Sequence, residues 1–245
     1  IALGFMAHLI LSVLAYLFCL PIRNLDERKI TEFSAIFANC GFIGFPIMKA
    51  LFGDIGLFWG AFFIISFHLT LWTWGIAIYA RKRPDIKLTP KKVILNFGTI
   101  PCLIGILLYV AQAIPGVTIP GFLADFINYL GSLCTPISML ITGALLATRT
   151  PKQIFGNKNI YYLSLIKLLV MPLVMLFFTK LIGLSYEMIM LLTVMAAMPS
   201  AAMVSMLSEL YDIDPGYASQ SVGTTALLST ATLPLVLYIA QLVLG

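Results

Sequence analysis

Eight apolar stretches divide this chain: residues 1–20, 33–52, 57–80, 93–113, 122–147, 161–182, 187–210 and 216–244. A bilayer core of about 30 Å needs about 20 helical residues to cross. Inside hydrocarbon every backbone N–H and C=O must be satisfied by the protein itself, so spans of this length and composition are helices. The residue balance agrees. The chain is 60% hydrophobic and 10% charged, with mean hydropathy +1.01, whereas soluble domains carry about 25% charged residues. The fold class expected is an all-α polytopic membrane protein with eight transmembrane helices.

The net charge of +5 is not a nucleic-acid signal, because the basic residues sit in loops. Arg23, Arg28 and Lys29 lie in the first loop; Arg81, Lys82, Arg83, Lys87, Lys91 and Lys92 in the third; Arg149, Lys152 and Lys158 in the fifth. These are 12 of the 15 Lys and Arg, and alternation puts them on one side. The positive-inside rule makes that side cytoplasmic and both chain ends extracytoplasmic. Trp59, Trp72, Trp74, Tyr79, Tyr161 and Tyr162 fall near span ends, where interfacial anchors sit. Lys49 and Lys167 lie within spans; Lys167 is read as snorkelling toward the cytoplasm, and Lys49 either snorkels to the outer interface or offsets exposed carbonyl ends at the crossover or attracts the substrate. Cys19, Cys40, Cys102 and Cys134 have no metal-ligand spacing and are read as small buried hydrophobes without a disulfide.

Two spans cannot remain helical throughout. In residues 33–53, Gly41, Gly44 and Pro46 fall within six residues. The proline removes an N–H and pushes Phe45 from the α region. In residues 188–210, Ala196-Ala197-Met198-Pro199-Ser200 interrupts the middle. Broken backbone at membrane depth is tolerated where it lines a cavity, and a pair of such spans in the two halves of a chain points to a transporter's binding site. Each is followed by an acidic turn (Gly53-Asp54-Ile55 and Tyr211-Asp212-Ile213) and a span without Lys, Arg, Asp or Glu. Their opposite polarity suits an inverted repeat. The second unit counts five spans, residues 93–244, and the first only three, residues 1–80. Two helices are therefore expected before Ile1, the chain being N-terminally truncated.

Asn39-x-x-x-x-Gly44-x-Pro46, running into Lys49-Ala50-Leu51-Phe52-Gly53, resembles the fourth helix of the auxin efflux carrier (PIN-like) family, which includes bacterial malate and malonate permeases. The Ala196-Ala197-x-Pro199 span with Glu209-x-Tyr211 resembles that family's ninth helix. The resemblance implies a ten-helix fold of two inverted five-helix repeats, like NhaA and bile-acid symporters, with helices four and nine crossing at mid-membrane. Residues 1–80 and 161–245 would then form the transport domain and residues 93–147 part of a scaffold.

The candidate substrate site comprises Asn39, Gly41, Gly44, Pro46, Pro199, Ser200, Gln220 and Thr224. Asn39 is a substrate donor or an interhelical bond, and the resemblance favours the first. Pro46 and Pro199 are read as starting half-helices whose free N–H groups face an anion. Ser221, Thr225, Ser229 and Thr232 form one polar stripe, with Gln220 and Thr224 beside it, either interhelical glue or site lining. Thr135 and Ser138 could bring another hydroxyl to mid-membrane. His8 and His68 are read as packing residues.

No Asp or Glu lies mid-span, which lowers the reading of a cation-exchanging antiporter. There is no HExxH, Walker or dinucleotide motif, so an enzyme is not expected. Nor is any cofactor or metal. The expected function is secondary transport of small organic carboxylates by alternating access in the cytoplasmic membrane of a bacterium. The partners are the organic anion and the lipid bilayer, with a homodimer among the possibilities and no nucleic acid. The alternatives are a sodium-coupled symporter of bile-acid-transporter type and a non-transporting receptor of the same fold.

Overall fold

The computed structural model describes residues 1–83, 85, 99–112, 114, 118–147, 150 and 156–245. Their regular elements are all helical: α1 (Ala2–Cys19), α2 (Leu25–Ile36), α3 (Cys40–Ala80), α4 (Thr99–Gln112), α5 (Gly121–Ala147), α6 (Lys158–Leu181), α7 (Tyr186–Ala197), α8 (Met203–Leu210) and α9 (Pro215–Leu244). Among the described residues, α1, α3, α6 and α9 are long and apolar enough to cross a membrane. Several expectations lie outside the described residues: the start of the span at 93, the basic residues Lys87, Lys91, Lys92, Arg149 and Lys152, and the side chains of Cys102, Cys134, Thr135 and Ser138.

The first loop expected from sequence, residues 21–32, is corrected to a short turn followed by helix. Asn24 caps α2, its Oδ1 accepting from the N–H groups of Asp26 at 3.0 Å and Glu27 at 3.4 Å. Those two acids in the first turn complement the helix dipole. Hydropathy missed this helix because it carries Asp26, Glu27, Arg28, Lys29 and Glu32. Tertiary contacts satisfy these groups. Glu32 is fully buried, and both its oxygens accept from Arg81 at 2.5 and 2.6 Å. Asn159 and Asn157 donate to Glu27 at 2.5 and 3.4 Å. The guanidiniums of Arg28 and Arg81 stand 5.4 and 5.8 Å from the ring centre of Tyr16.

Helix α3 is a hairpin. Gly53, at φ +64° and ψ −147°, holds a conformation essentially closed to residues with a Cβ. The chain reverses there: a Cβ on Gly60 would stand 2.8 Å from the ring of Phe45. In a straight helix those residues would be about 22 Å apart, at 1.5 Å per residue. The expected spans 33–52 and 57–80 are thus separate arms, residues 40–52 and 54–80, and the turn is one residue rather than four.

Helices α7 and α8 divide the expected span 187–210 between them. The Asp214 carboxylate caps α9, accepting from Tyr217 N at 3.0 Å. Side chains of α1, α2, α3, α6, α7 and α9 share one buried core. Two expected interfacial anchors belong to it: Trp72 is buried and Tyr79 has no exposed surface. The Tyr79 hydroxyl bonds Ser208 at 2.8 Å and the Val204 carbonyl at 3.3 Å, tying the end of α3 to α8. Helix α5 rests on residues 40–44 and on α9.

Candidate functional site

Between α2 and α3 the chain unwinds over residues 37–39, and between α7 and α8 over residues 198–202. The two openings meet. Asn39 N donates to Pro199 O at 2.7 Å and Ala201 N donates to Phe37 O at 3.0 Å, pairing Ala38 with Ser200 as one antiparallel rung. Each broken helix thus satisfies backbone groups that the other leaves open, which a chain without water contact requires. Two of the last carbonyls of α2 find side chains. Ser200 Oγ donates to Ser34 O at 3.3 Å and Lys167 Nζ to Ala35 O at 3.1 Å. On the opposing helix, Cys40 Sγ faces Met195 O at 3.7 Å.

Helix α9 seals the crossing from behind. Thr225 Oγ1 accepts from Ser200 N at 3.1 Å, and Ser221 Oγ lies 3.2 Å from Ser34 Oγ. The polar stripe therefore includes the glue of the crossing. Gln220 and Thr224 are both buried beside it.

The position of the first break is corrected. It covers residues 37–39, Asn39 included, rather than falling at Gly41–Pro46. Asn39 caps the resuming helix: its Oδ1 accepts from Phe42 N at 3.2 Å, and its own carbonyl accepts from Ile43 N and Gly44 N at 3.2 and 3.1 Å. Residues Cys40–Gly44 form a π turn, and Pro46 follows two residues later. The same order recurs in α6, where π turn Ile166–Val170 precedes Pro172. A wide turn shifts the hydrogen-bond register, so it accommodates a residue with no N–H to give. Pro46 thus sits inside a helix already begun, and does not start one. Pro199 likewise lies in the unwound segment, three residues of chain before α8 begins at Met203.

Of the expected site residues, the structure brings Asn39, Pro199 and Ser200 into direct contact at the crossing. Gly44 packs beside them, since a Cβ there would meet Met195 Sδ at 3.1 Å and Met198 Cγ at 3.6 Å. Gly41, within the π turn, and Pro46, just after it, are half-buried. Gly41 looks toward Ile64, 3.8 Å from where its Cβ would be. Ile64 also lines an apolar cavity of about 280 Å³ with Phe45, Phe62, Ile65 and Tyr109, between α3 and α4. Asn39 is 6% exposed, and its Nδ2 makes no hydrogen bond among the described residues.

Lys167 corrects another expectation. It does not snorkel: it is fully buried with its ammonium on Ala35. A lone lysine two turns inside a span was the signal, since an intramembrane charge is costly unless it has a task. Lys49 is exposed. His8 is buried against Phe37, Phe63 and Phe67, with Nδ1 2.7 Å from Gly4 O.

With this geometry in place, comparison with known proteins decides the family. The model of the membrane transport protein family matches residues 1–237. The chain belongs to that family. It is the auxin efflux carrier family of the resemblance noted in the sequence. Among curated relatives, an uncharacterized transporter of Methanocaldococcus jannaschii is 27% identical over 238 residues, covering 94% of this chain and 75% of the relative. An uncharacterized transporter of Methanothermobacter thermautotrophicus is 25% identical over 218 residues, covering 87% and 69%. This member of the family is a membrane transporter built of helices, and nothing in the family or its relatives indicates catalysis.

Proposed function

We propose that the chain forms the core of a secondary carrier for small organic carboxylate anions, working by alternating access around the crossing of the two broken helices. The observation that carries this reading is the pair of unwound segments, residues 37–39 and 198–202, bonded to each other within an apolar interior. Such a crossing brings the broken backbone of both halves to one depth, and interrupted spans that meet in this way are where a transporter's substrate site lies. Asn39 offers an unused amide donor there. The apolar cavity beside Gly41 and Phe45 would suit the carbon skeleton of an organic acid. The candidate site stays as Asn39, Gly41, Gly44, Pro46, Pro199, Ser200, Gln220 and Thr224.

In this reading α1 to α3 and α6 to α9 move together against a scaffold that includes α4 and α5. The two halves are inverted repeats, and the arginines and lysines of residues 21–32, 81–92 and 148–160 face the cytoplasm. With no carboxylate at the crossing among the described residues to carry a compensating proton, negative charge crosses with the substrate. The membrane potential, about 2.3 kcal/mol per charge per 100 mV, then drives anions outward from a negative interior. The test is uptake of labelled malate and indole-3-acetate into proteoliposomes of the full-length protein under potassium diffusion potentials of either sign. Flux should rise or fall with the sign of the potential. Rates indifferent to it would overturn the electrogenic mechanism, and a strict sodium requirement would favour the symporter reading. Saturable binding without flux would favour the receptor.

A further inference from the structure

We propose that Lys167 is the fixed positive charge that makes the crossing prefer anions, an inference that rests on the carboxylate reading above. The crossing joins four helix ends. Helices α3 and α8 begin there and α2 and α7 end there. Each beginning carries about half a positive charge and each end about half a negative one, so the four nearly cancel. The half-helix N-termini therefore cannot by themselves hold an anion at this depth. A net charge has to come from a side chain, and among the described residues Lys167 is the fully buried cation that bonds this assembly.

Its placement fits that task. The ammonium donates to Ala35 O, one residue before the end of α2 and four before Asn39, and so offsets a negative helix end. It has three N–H groups, and two find no acceptor among the described residues. Among the described residues no carboxylate pairs with it. Cys40 of α3 lies at the same crossing, with Sγ on Met195 O, and His8 of α1 packs on Phe37. Glu32, the buried acid of α2, is bound by both oxygens to Arg81. The lysine sits in the π turn Ile166–Val170 of α6, and such turns recur at functional sites. His8 precedes the first unwound segment by nearly the number of residues by which Lys167 precedes the second. The helix at that distance in the first half, α1, carries the imidazole of His8 and no lysine or arginine. Lys167 acts through the field at the crossing rather than by touching substrate, which makes it a positioning residue for the anion.

The test compares binding of two acids, malate and indole-3-acetate, with their uncharged amides, malamide and indole-3-acetamide, to full-length protein in detergent. The quantity read is the ratio of acid to amide affinity, which a purely structural role would leave unchanged. Lys167→Gln keeps a donor for Ala35 O and removes the charge; Lys167→Arg keeps the charge. The ratio should fall about tenfold to a hundredfold in Lys167→Gln, as expected for unit charges several ångströms apart at an effective dielectric of ~20. It should stay within about threefold of the parent in Lys167→Arg. An unchanged ratio in Lys167→Gln would overturn this inference alone. Loss of a monodisperse folded protein in both variants would do the same, by making the lysine structural only. Failure of the parent protein to bind either acid would overturn the carboxylate reading and this inference with it.

Discussion

The backbone N–H of Asn39 donates to the carbonyl of Pro199 at 2.7 Å, joining two helices that are each broken at that point. The same asparagine caps the helix that resumes after it, through Oδ1 and Phe42 N at 3.2 Å. Its amide therefore has a structural half and an open half. This division makes the two roles separable.

Asn39→Asp keeps an oxygen for Phe42 N but removes the amide donor and adds a negative charge. Melting temperature in detergent should stay close to that of the parent, because the cap is retained. Carboxylate flux in proteoliposomes should drop at least tenfold. Flux preserved in the aspartate variant would show that the amide donor plays no part in transport.

Thr225→Val removes the acceptor of Ser200 N without changing side-chain volume much. A buried N–H left without a partner costs about 1–3 kcal/mol. Thermal unfolding should therefore shift down, while Thr225→Ser, which keeps the oxygen, should unfold like the parent. Equal melting of the valine and serine variants would mean that the hydroxyl is not what holds Ser200.

Gly53→Ala places a Cβ on a residue at φ +64° and ψ −147°. Open space surrounds the position, so strain and not collision sets the penalty. The expected loss is about 1–3 kcal/mol, read as lower melting temperature and faster proteolysis at residues 53–56. A variant as stable as the parent would show that the hairpin turns by another route.

Arg81→Met strands the Glu32 carboxylate, which has no exposed surface, whereas the Arg81 side chain is 29% exposed. Removing the arginine should cost about 3–5 kcal/mol, and more than Glu32→Gln, because the arginine can turn to water and the acid cannot. The double variant Arg81→Met with Glu32→Leu should recover most of the stability. Additive losses in the double variant, measured by chemical denaturation, would rule out this pairing as the source.

The composition and the run lengths of this chain determined by themselves that it is helical and lies in a membrane. Hydrocarbon leaves an apolar stretch of 20 residues little else to become. The sequence also marked the two interruptions, since proline and glycine act on the backbone locally. Local chemistry could not say where each break would open. The π turn Cys40–Gly44 absorbed Pro46, so the opening moved back to residues 37–39, where Pro199 and Ala201 supply backbone partners. Those partners come from the other end of the chain, and a local rule does not contain them. Helix α2 was hidden for the same reason: its charges read as loop until Arg81, Asn159 and Tyr16 are brought beside them. Lys167 was visible as a cation within a span, but snorkelling and burial look alike in one dimension. Only the meeting of α6 with the end of α2 decided between them, because the Ala35 carbonyl, left open where α2 stops, is an acceptor created by the tertiary fold.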